Sequence, residues 1–75
     1  MEKKQIIKII TDKDGTKKYY LNGKLHREDG PAIDNPTNGY RAWYLHGKRH
    51  REDDKPAIIN AHGSQFWYFN GKHIK

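Results

Sequence analysis

Cysteine is absent from the sequence. That removes two devices by which small domains compensate for a thin core, a disulfide framework and a thiolate zinc centre, and it fits a reducing compartment. Apolar side chains are also scarce. Hydrophobic residues make up 33% of the chain against 32% charged, and the mean hydropathy is −1.19, so little is available to bury. Long hydrophobic runs are missing too. The N-terminal apolar stretch is broken by Lys8, so it is neither a signal-peptide core nor close to the roughly 20 residues of a membrane-spanning helix. A soluble, cytoplasmic protein with no membrane partner is the expectation.

The usual catalytic patterns are lacking as well. Ser64 is the lone serine; it sits in a turn with no evident base, and there is neither a nucleophile elbow nor a phosphate-cradling glycine loop. Glu28 and Glu52 could be imagined as paired acids, but they fall in successive copies of a repeat and are expected to face solvent. The chain has five histidines but no His-Glu-x-x-His spacing. His46 and His50 flank a hairpin turn and His62 and His73 lie elsewhere, so surface histidine outweighs a metal centre. The expectation is a non-enzyme with no metal and no cofactor.

What is present is aromatic and periodic. Two Trp, five Tyr and two Phe are concentrated in a few segments of a 75-residue chain, and large rings bury much area per residue. That matters because a chain this short buries only about 60% of its unfolded surface. Asp14-Gly-Thr-Lys-Lys-Tyr-Tyr-Leu-Asn-Gly-Lys is answered by the segments that start at Asn38 and at His62. Gly15, Gly39 and Gly63 fall in register, as do Gly23, Gly47 and Gly71, and as do Tyr19, Trp43 and Trp67. Leu25–Ile33 is answered by Arg49–Ile58, with one extra residue near Asp54 that is removed before Gly63. The spacing predicts a single domain over 1–75 built of units at about 1–30, 31–55 and 56–75. Its ends are atypical, as capping repeats are.

Each unit reads as β. The stretches Lys17–Leu21, Arg41–Leu45 and Gln65–Phe69 are aromatic and bounded by glycine turns. Asn22-Gly23 and Asn70-Gly71 are strong hairpin signals, and His46-Gly47 stands in the same place. Pro31 and Pro56 are expected to begin strands at Ala32 and Ala57. Gln5–Ile10 is rich in isoleucine and reads as a strand. The predicted fold is all-β, a meander of about six or seven short antiparallel strands. Tyr19, Leu21, Trp43, Leu45, Trp67 and Phe69 form its core face, and Tyr20, Tyr44 and Tyr68 share the other.

The unit Tyr-Leu-Asn-Gly-Lys-Leu-His-Arg-Glu-Asp-Gly-Pro-Ala-Ile, from Tyr20 to Ile33, resembles the MORN-like hairpin repeats of small bacteriophage and bacterial proteins. The resemblance covers nearly the whole chain. Departures are Asp54-Lys55 in place of the glycine and the missing His-Arg-Glu-Asp in the last copy. The resemblance implies a β-hairpin array used as a binding surface. It also implies a phage-encoded protein acting in the cytoplasm of a bacterial host, where it could interfere with a host enzyme or defence system in the manner of an anti-CRISPR protein.

Two polar patterns are candidate sites. In the His-Arg-Glu-Asp segments, Arg27 and Arg51 offer forked donors to phosphate or carboxylate, and His26 and His50 add hydrogen bonds. The same residues suit a structural role in which carboxylates cap a tight corner and arginines fix the hairpin exit. The tyrosines Tyr20, Tyr44 and Tyr68 are either a stacking platform or a cross-strand ladder. Beside Lys24, Lys48 and Lys72 they would form an aromatic-basic strip. Lys and Arg number 15 against 9 acidic residues, a formal charge of +6. This composition points first to a non-enzymatic module that binds a host protein, and second to one that binds nucleic acid or a nucleotide signal. Edge strands and a small core also predict a homodimer or higher oligomer.

Overall fold

The computed structural model describes residues 6–75; Gln5, at the start of the expected first strand, and the opening residues of the first unit lie outside them. The described residues form eleven strands: β1 (Ile7–Thr11), β2 (Lys17–Leu21), β3 (Lys24–Leu25), β4 (Ile33–Asp34), β5 (Arg41–Ala42), β6 (Tyr44–Leu45), β7 (Lys48–Arg49), β8 (Ile58–Ile59), β9 (Gln65–Phe66), β10 (Tyr68–Phe69) and β11 (Lys72–His73). All pairings are antiparallel, and no helix occurs among the described residues. The fold is an all-β meander.

Three tight turns organise it. Asn22 and Gly23 have φ of 53° and 79°, His46 and Gly47 51° and 82°, and Asn70 and Gly71 51° and 83°. Positive φ at both central residues matches the right-handed twist of flanking strands, and Asn-Gly tolerates it best. The hairpins share one register. Tyr20 faces Leu25, Tyr44 faces Arg49 and Tyr68 faces His73, with Leu21, Leu45 and Phe69 opposite Lys24, Lys48 and Lys72.

The expected six or seven strands become eleven because the ribbon changes partner at its aromatic residue. Trp43 donates its N–H to Ala57 O at 2.7 Å, while its own carbonyl accepts from His50 N at 3.1 Å. Before Trp43 the chain pairs with the Pro-Ala-Ile strand on one edge, and after it with the arm of its own hairpin. The expected strands at Arg41–Leu45 and Gln65–Phe69 are therefore each divided in two. Lys17–Leu21 stays whole because β1 pairs along its entire length.

The main sheet runs β1-β2-β4-β5-β8-β9 with β3 on β2, and β6–β7 and β10–β11 are two-stranded ribbons. The hairpins lie side by side through backbone bonds: Gly47 N to Leu25 O (2.8 Å), Arg27 N to Tyr44 O (3.1 Å), Gly71 N to Arg49 O (2.7 Å) and Arg51 N to Tyr68 O (3.3 Å). The outer turns run Asp12–Thr16, Asn35–Tyr40 and Asn60–Ser64, each closed by a backbone bond between its end residues. The third is a residue shorter than the middle one, which absorbs the insertion beside Asp54. In the middle turn Asn35 is buried; its Oδ1 accepts from Thr37 N and Asn38 N, and its Nδ2 donates to Thr16 Oγ1 at 2.8 Å.

The core differs from the expected aromatic face. Its buried apolar residues are Leu21, Ala32, Ala42, Ala57 and Ile58, joined by His26 and His50. Tyr19, Trp43, Leu45 and Trp67 are half-buried, and Phe69 is 47% exposed. The reason is shape. The molecule is a slab of 43 × 31 × 16 Å, its strands divided among one seven-stranded sheet and two two-stranded ribbons. Large rings in such a slab have one side to bury and one side to cover by other means.

Candidate functional site

The covering groups are cationic. The Arg27 guanidinium carbon lies 4.1 Å from the centre of the Tyr19 ring, that of Arg51 lies 3.7 Å from Trp43, and Lys75 Nζ lies 5.2 Å from Trp67. A cation over a ring gains about 0.5–2 kcal/mol from the ring's negative face. The arginines also hold their own loops. Arg27 donates through Nε to Asp29 (3.0 Å) and through Nη1 to Pro31 O (3.2 Å), and Arg51 donates to Pro56 O (3.1 Å). Gly30 leaves room for this packing, since a Cβ there would meet Arg27 Cζ at 2.9 Å and the guanidinium would have to shift. The second loop has no glycine. It carries Asp53 and Asp54 at φ of 65° and 56° instead. Burial, with the charge of Arg41 adding to it, holds Arg51 below the ordinary arginine value.

His26 and His50 join one hairpin to the next. His46 N donates to His26 Nδ1 at 2.9 Å, and Asn70 N donates to His50 Nδ1 at 2.9 Å. An accepting Nδ1 places the ring proton on Nε2. In the second copy it reaches Glu52 Oε2 at 3.3 Å; in the first, His26 Nε2 lies 3.5 Å from Glu28 Oε2 but makes no hydrogen bond. The rings also pack in tilted pairs, His26 with His46 and His50 with Phe69, each at 4.4 Å between centroids.

Two grooves follow from this construction. The larger, of about 530 Å³, lies between the His-Arg-Glu-Asp loops, with Trp43 and Leu45 as its floor and Arg27, Glu28, Arg51 and Glu52 among its walls. The smaller, of about 420 Å³, repeats the arrangement one unit earlier, with Tyr19, His26 and Arg27 on one side and Ile7 and Ile9 on the other. In the third copy the corresponding residues are drawn together. Trp67 Nε1 donates to Asp54 O at 3.0 Å, and Lys75 pairs with Asp54 at 3.1 Å.

The tyrosine candidates lie apart from the lysines. Within each hairpin Tyr20, Tyr44 and Tyr68 share a face with their register partners Leu25, Arg49 and His73, while Lys24 and Lys48 share the opposite face with Leu21 and Leu45. The stems of Lys24 and Lys48 lie beneath Gly47 and Gly71 of the next hairpin. The cation that bridges Tyr44 and Tyr68 is Arg49, a residue the sequence reading missed. It donates to Tyr44 Oη (3.3 Å) and Tyr68 Oη (3.4 Å) and sits 5.1 Å from the Tyr68 ring. The hydrogen bond to Tyr44 raises its pKa. Nearby, burial raises the Tyr40 phenol above its usual range, with Tyr44 adding and Arg49 opposing. His73 stacks on Tyr68 at 4.8 Å. Lys75 was also missed, although it stands 24 residues after Arg51 and so continues the series from Arg27.

Among the described residues no cluster of three or more His, Asp or Glu could hold a metal ion, and no helix is long and apolar enough to cross a membrane. In comparisons with known proteins, no family model, curated protein or solved structure matches the chain.

Proposed function

We propose that this chain is a non-enzymatic protein-binding module whose larger groove takes an apolar side chain flanked by basic groups of the partner. The observation behind this reading is the groove's distribution of charge. Its arginines are occupied with Tyr19, Trp43 and loop carbonyls, whereas Glu28, Asp29 and Glu52 have side chains 73%, 87% and 69% exposed and, with Asp53, outnumber the one exposed cation of the lining, Lys55. An apolar floor with an acidic rim suits a protein segment and repels a polyanion. With the resemblance to phage hairpin proteins, the reading extends to a small inhibitor or adaptor that acts on a host protein, an enzyme or a defence component.

The test is affinity capture from bacterial lysate with the native chain and with Glu28→Lys/Glu52→Lys. A specific protein retained by the native chain and lost by the double variant is the expected result. A second reading, nucleic acid bound at Arg49, Tyr44, Tyr68 and His73, is favoured by the cation among stacked rings and by the net charge of +6. Its signature is binding that weakens steeply with salt and that falls in Arg49→Ala while Glu52→Lys leaves it unchanged. That outcome would replace the first reading.

A further inference from the structure

β1 is the terminal strand of the main sheet and, among the described residues, pairs with β2 alone. The direction of its free backbone groups follows from Tyr19. Tyr19 faces Ile9 in the register, yet its N–H goes to Ala32 O (2.8 Å) and its carbonyl accepts from His26 N (2.9 Å), both on the side of β2 away from β1. Facing residues of an antiparallel pair alternate between bonded and non-bonded. Ile9 and Tyr19 are therefore a non-bonded pair, and the N–H and C=O of Ile9 point to the open edge. The period of two gives the same direction at Ile7 and Thr11.

That edge is also apolar on both faces, with Ile6 at 76%, Ile7 at 37%, Ile9 at 55% and Ile10 at 40% exposure. Exposed edges of this kind are templates for strand addition and are ordinarily blunted with charge or proline. Here the only charge within the strand is Lys8.

We infer that a second copy of the chain covers this edge, with β1 pairing antiparallel to β1 of the other copy about a two-fold axis at Ile9. The register is determined by the backbone. An axis at Lys8 or Ile10 would bring together residues whose polar groups already point inward to β2, and at Lys8 it would also oppose two like charges. Of the outward-pointing residues, Ile9 alone gives full overlap of β1 with itself. Ile7 then bonds with Thr11 of the second copy, Ile9 with its own equivalent, and Lys8 stands opposite Ile10. On one face Ile9 meets its counterpart, with the Ile7 of each copy diagonal to the Ile9 of the other. The two slabs become one continuous sheet. This interface is independent of the partner groove between the loops. As for any pairing of two copies, association is concentration-dependent.

Light scattering on the full chain from micromolar to millimolar concentration reads this directly. The expected mass rises from 8.9 kDa toward twice that value. Ile9→Lys opposes two charges at the axis and should remain monomeric with an unchanged circular dichroism spectrum. Because the chain has no cysteine, a second measurement reads the register without relying on a charged variant. When Lys8→Cys and Ile10→Cys chains are mixed in equal amounts and oxidised, the mixed disulfide should dominate over both self-disulfides. A native chain that stays at monomer mass throughout overturns the inference, as does a folded Ile9→Lys that dimerises like the native chain or a statistical distribution of disulfides.

Discussion

A ring such as that of His26, 1% exposed, does two jobs that no aliphatic residue can combine: it fills the slab between hairpins and accepts a backbone N–H through Nδ1. Leaving a buried donor without a partner costs about 1–3 kcal/mol. His50→Leu, which orphans Asn70 N, should therefore lower unfolding stability by about 2 kcal/mol in urea titration. Ile74 follows Trp67 as His50 follows Trp43, its N–H bonding Trp67 O at 2.9 Å, but it is 57% exposed. Ile74→His should change stability by less than about 0.5 kcal/mol. A His50→Leu protein as stable as the native one would show that the clasp contributes nothing. The sequence displayed these histidines in register. It could not display their role, because the donor comes from a turn 20 residues away.

Tyr40 supplies a pH test at the same scale. Its pKa is raised above 10.0, chiefly by burial, so the fold favours the neutral phenol. A raised folded value means that the contribution is complete below the unfolded pKa and is lost as pH rises through the folded one. Native stability should therefore decline above pH 10 more steeply than that of Tyr40→Phe, as measured by thermal melting across the alkaline range. In a spectrophotometric titration of the tyrosines Tyr40 should ionise late. Identical alkaline profiles for the two proteins would contradict the burial argument.

At the scale of the element, the two His-Arg-Glu-Asp loops solve one problem in two ways. The first uses Gly30 to let the Arg27 guanidinium tuck in, while the second adds a residue and places Asp53 and Asp54 at positive φ. Left-handed backbone is unfavourable for a residue with a Cβ, less so for Asp than for most. Asp53 has no side-chain bond to lose, so Asp53→Gly should stabilise by about 0.5 kcal/mol. Asp54 is different, since its carbonyl and carboxylate hold Trp67 and Lys75. Arg51→Ala removes both the Trp43 stack and the bond to Pro56 O. Its expected cost is about 1–2 kcal/mol, with Trp43 emission moving to longer wavelength. An unshifted spectrum would mean that Arg51 does not shield the ring.

Turns and strands were the most legible elements. Gly23, Gly47 and Gly71 mark the hairpins and the residues beside them pair as the two-residue loop requires. Which side chains would be buried was less legible. Alternation assigned Trp43 and Phe69 to a core, but it assumes a strand that runs unbroken through the ring, and the chain changes partner at Trp43 and leaves Phe69 on a two-stranded ribbon at 47% exposure. The same assumption hid Arg49, whose companions Tyr44 and Tyr68 belong to adjacent hairpins that meet only once the chain is folded.

At the scale of the whole molecule, a row of hairpins holds each one chiefly through its neighbours, so stability should vary along the chain. The second hairpin is bonded on both sides, through Gly47 N and Tyr44 O to the first and through Arg49 O and Arg51 N to the third. The third is flanked on one side only and carries Phe69 and Ile74 about half exposed. Its closure depends on His50 Nδ1, Arg49 O and the Asp54–Lys75 pair, and the last of these is an exposed contact that salt screens. Opening should therefore begin at β10–β11. Native-state hydrogen exchange should show the amides of Asn70 and Gly71 exchanging faster than those of His46 and Gly47, although both pairs make the same bonds at nearly the same distances. Raising ionic strength should widen the gap by weakening the Lys75 contact. Equal exchange at the two turns, at every salt concentration, would mean that the slab opens as one cooperative unit and that position in the array carries no energetic difference.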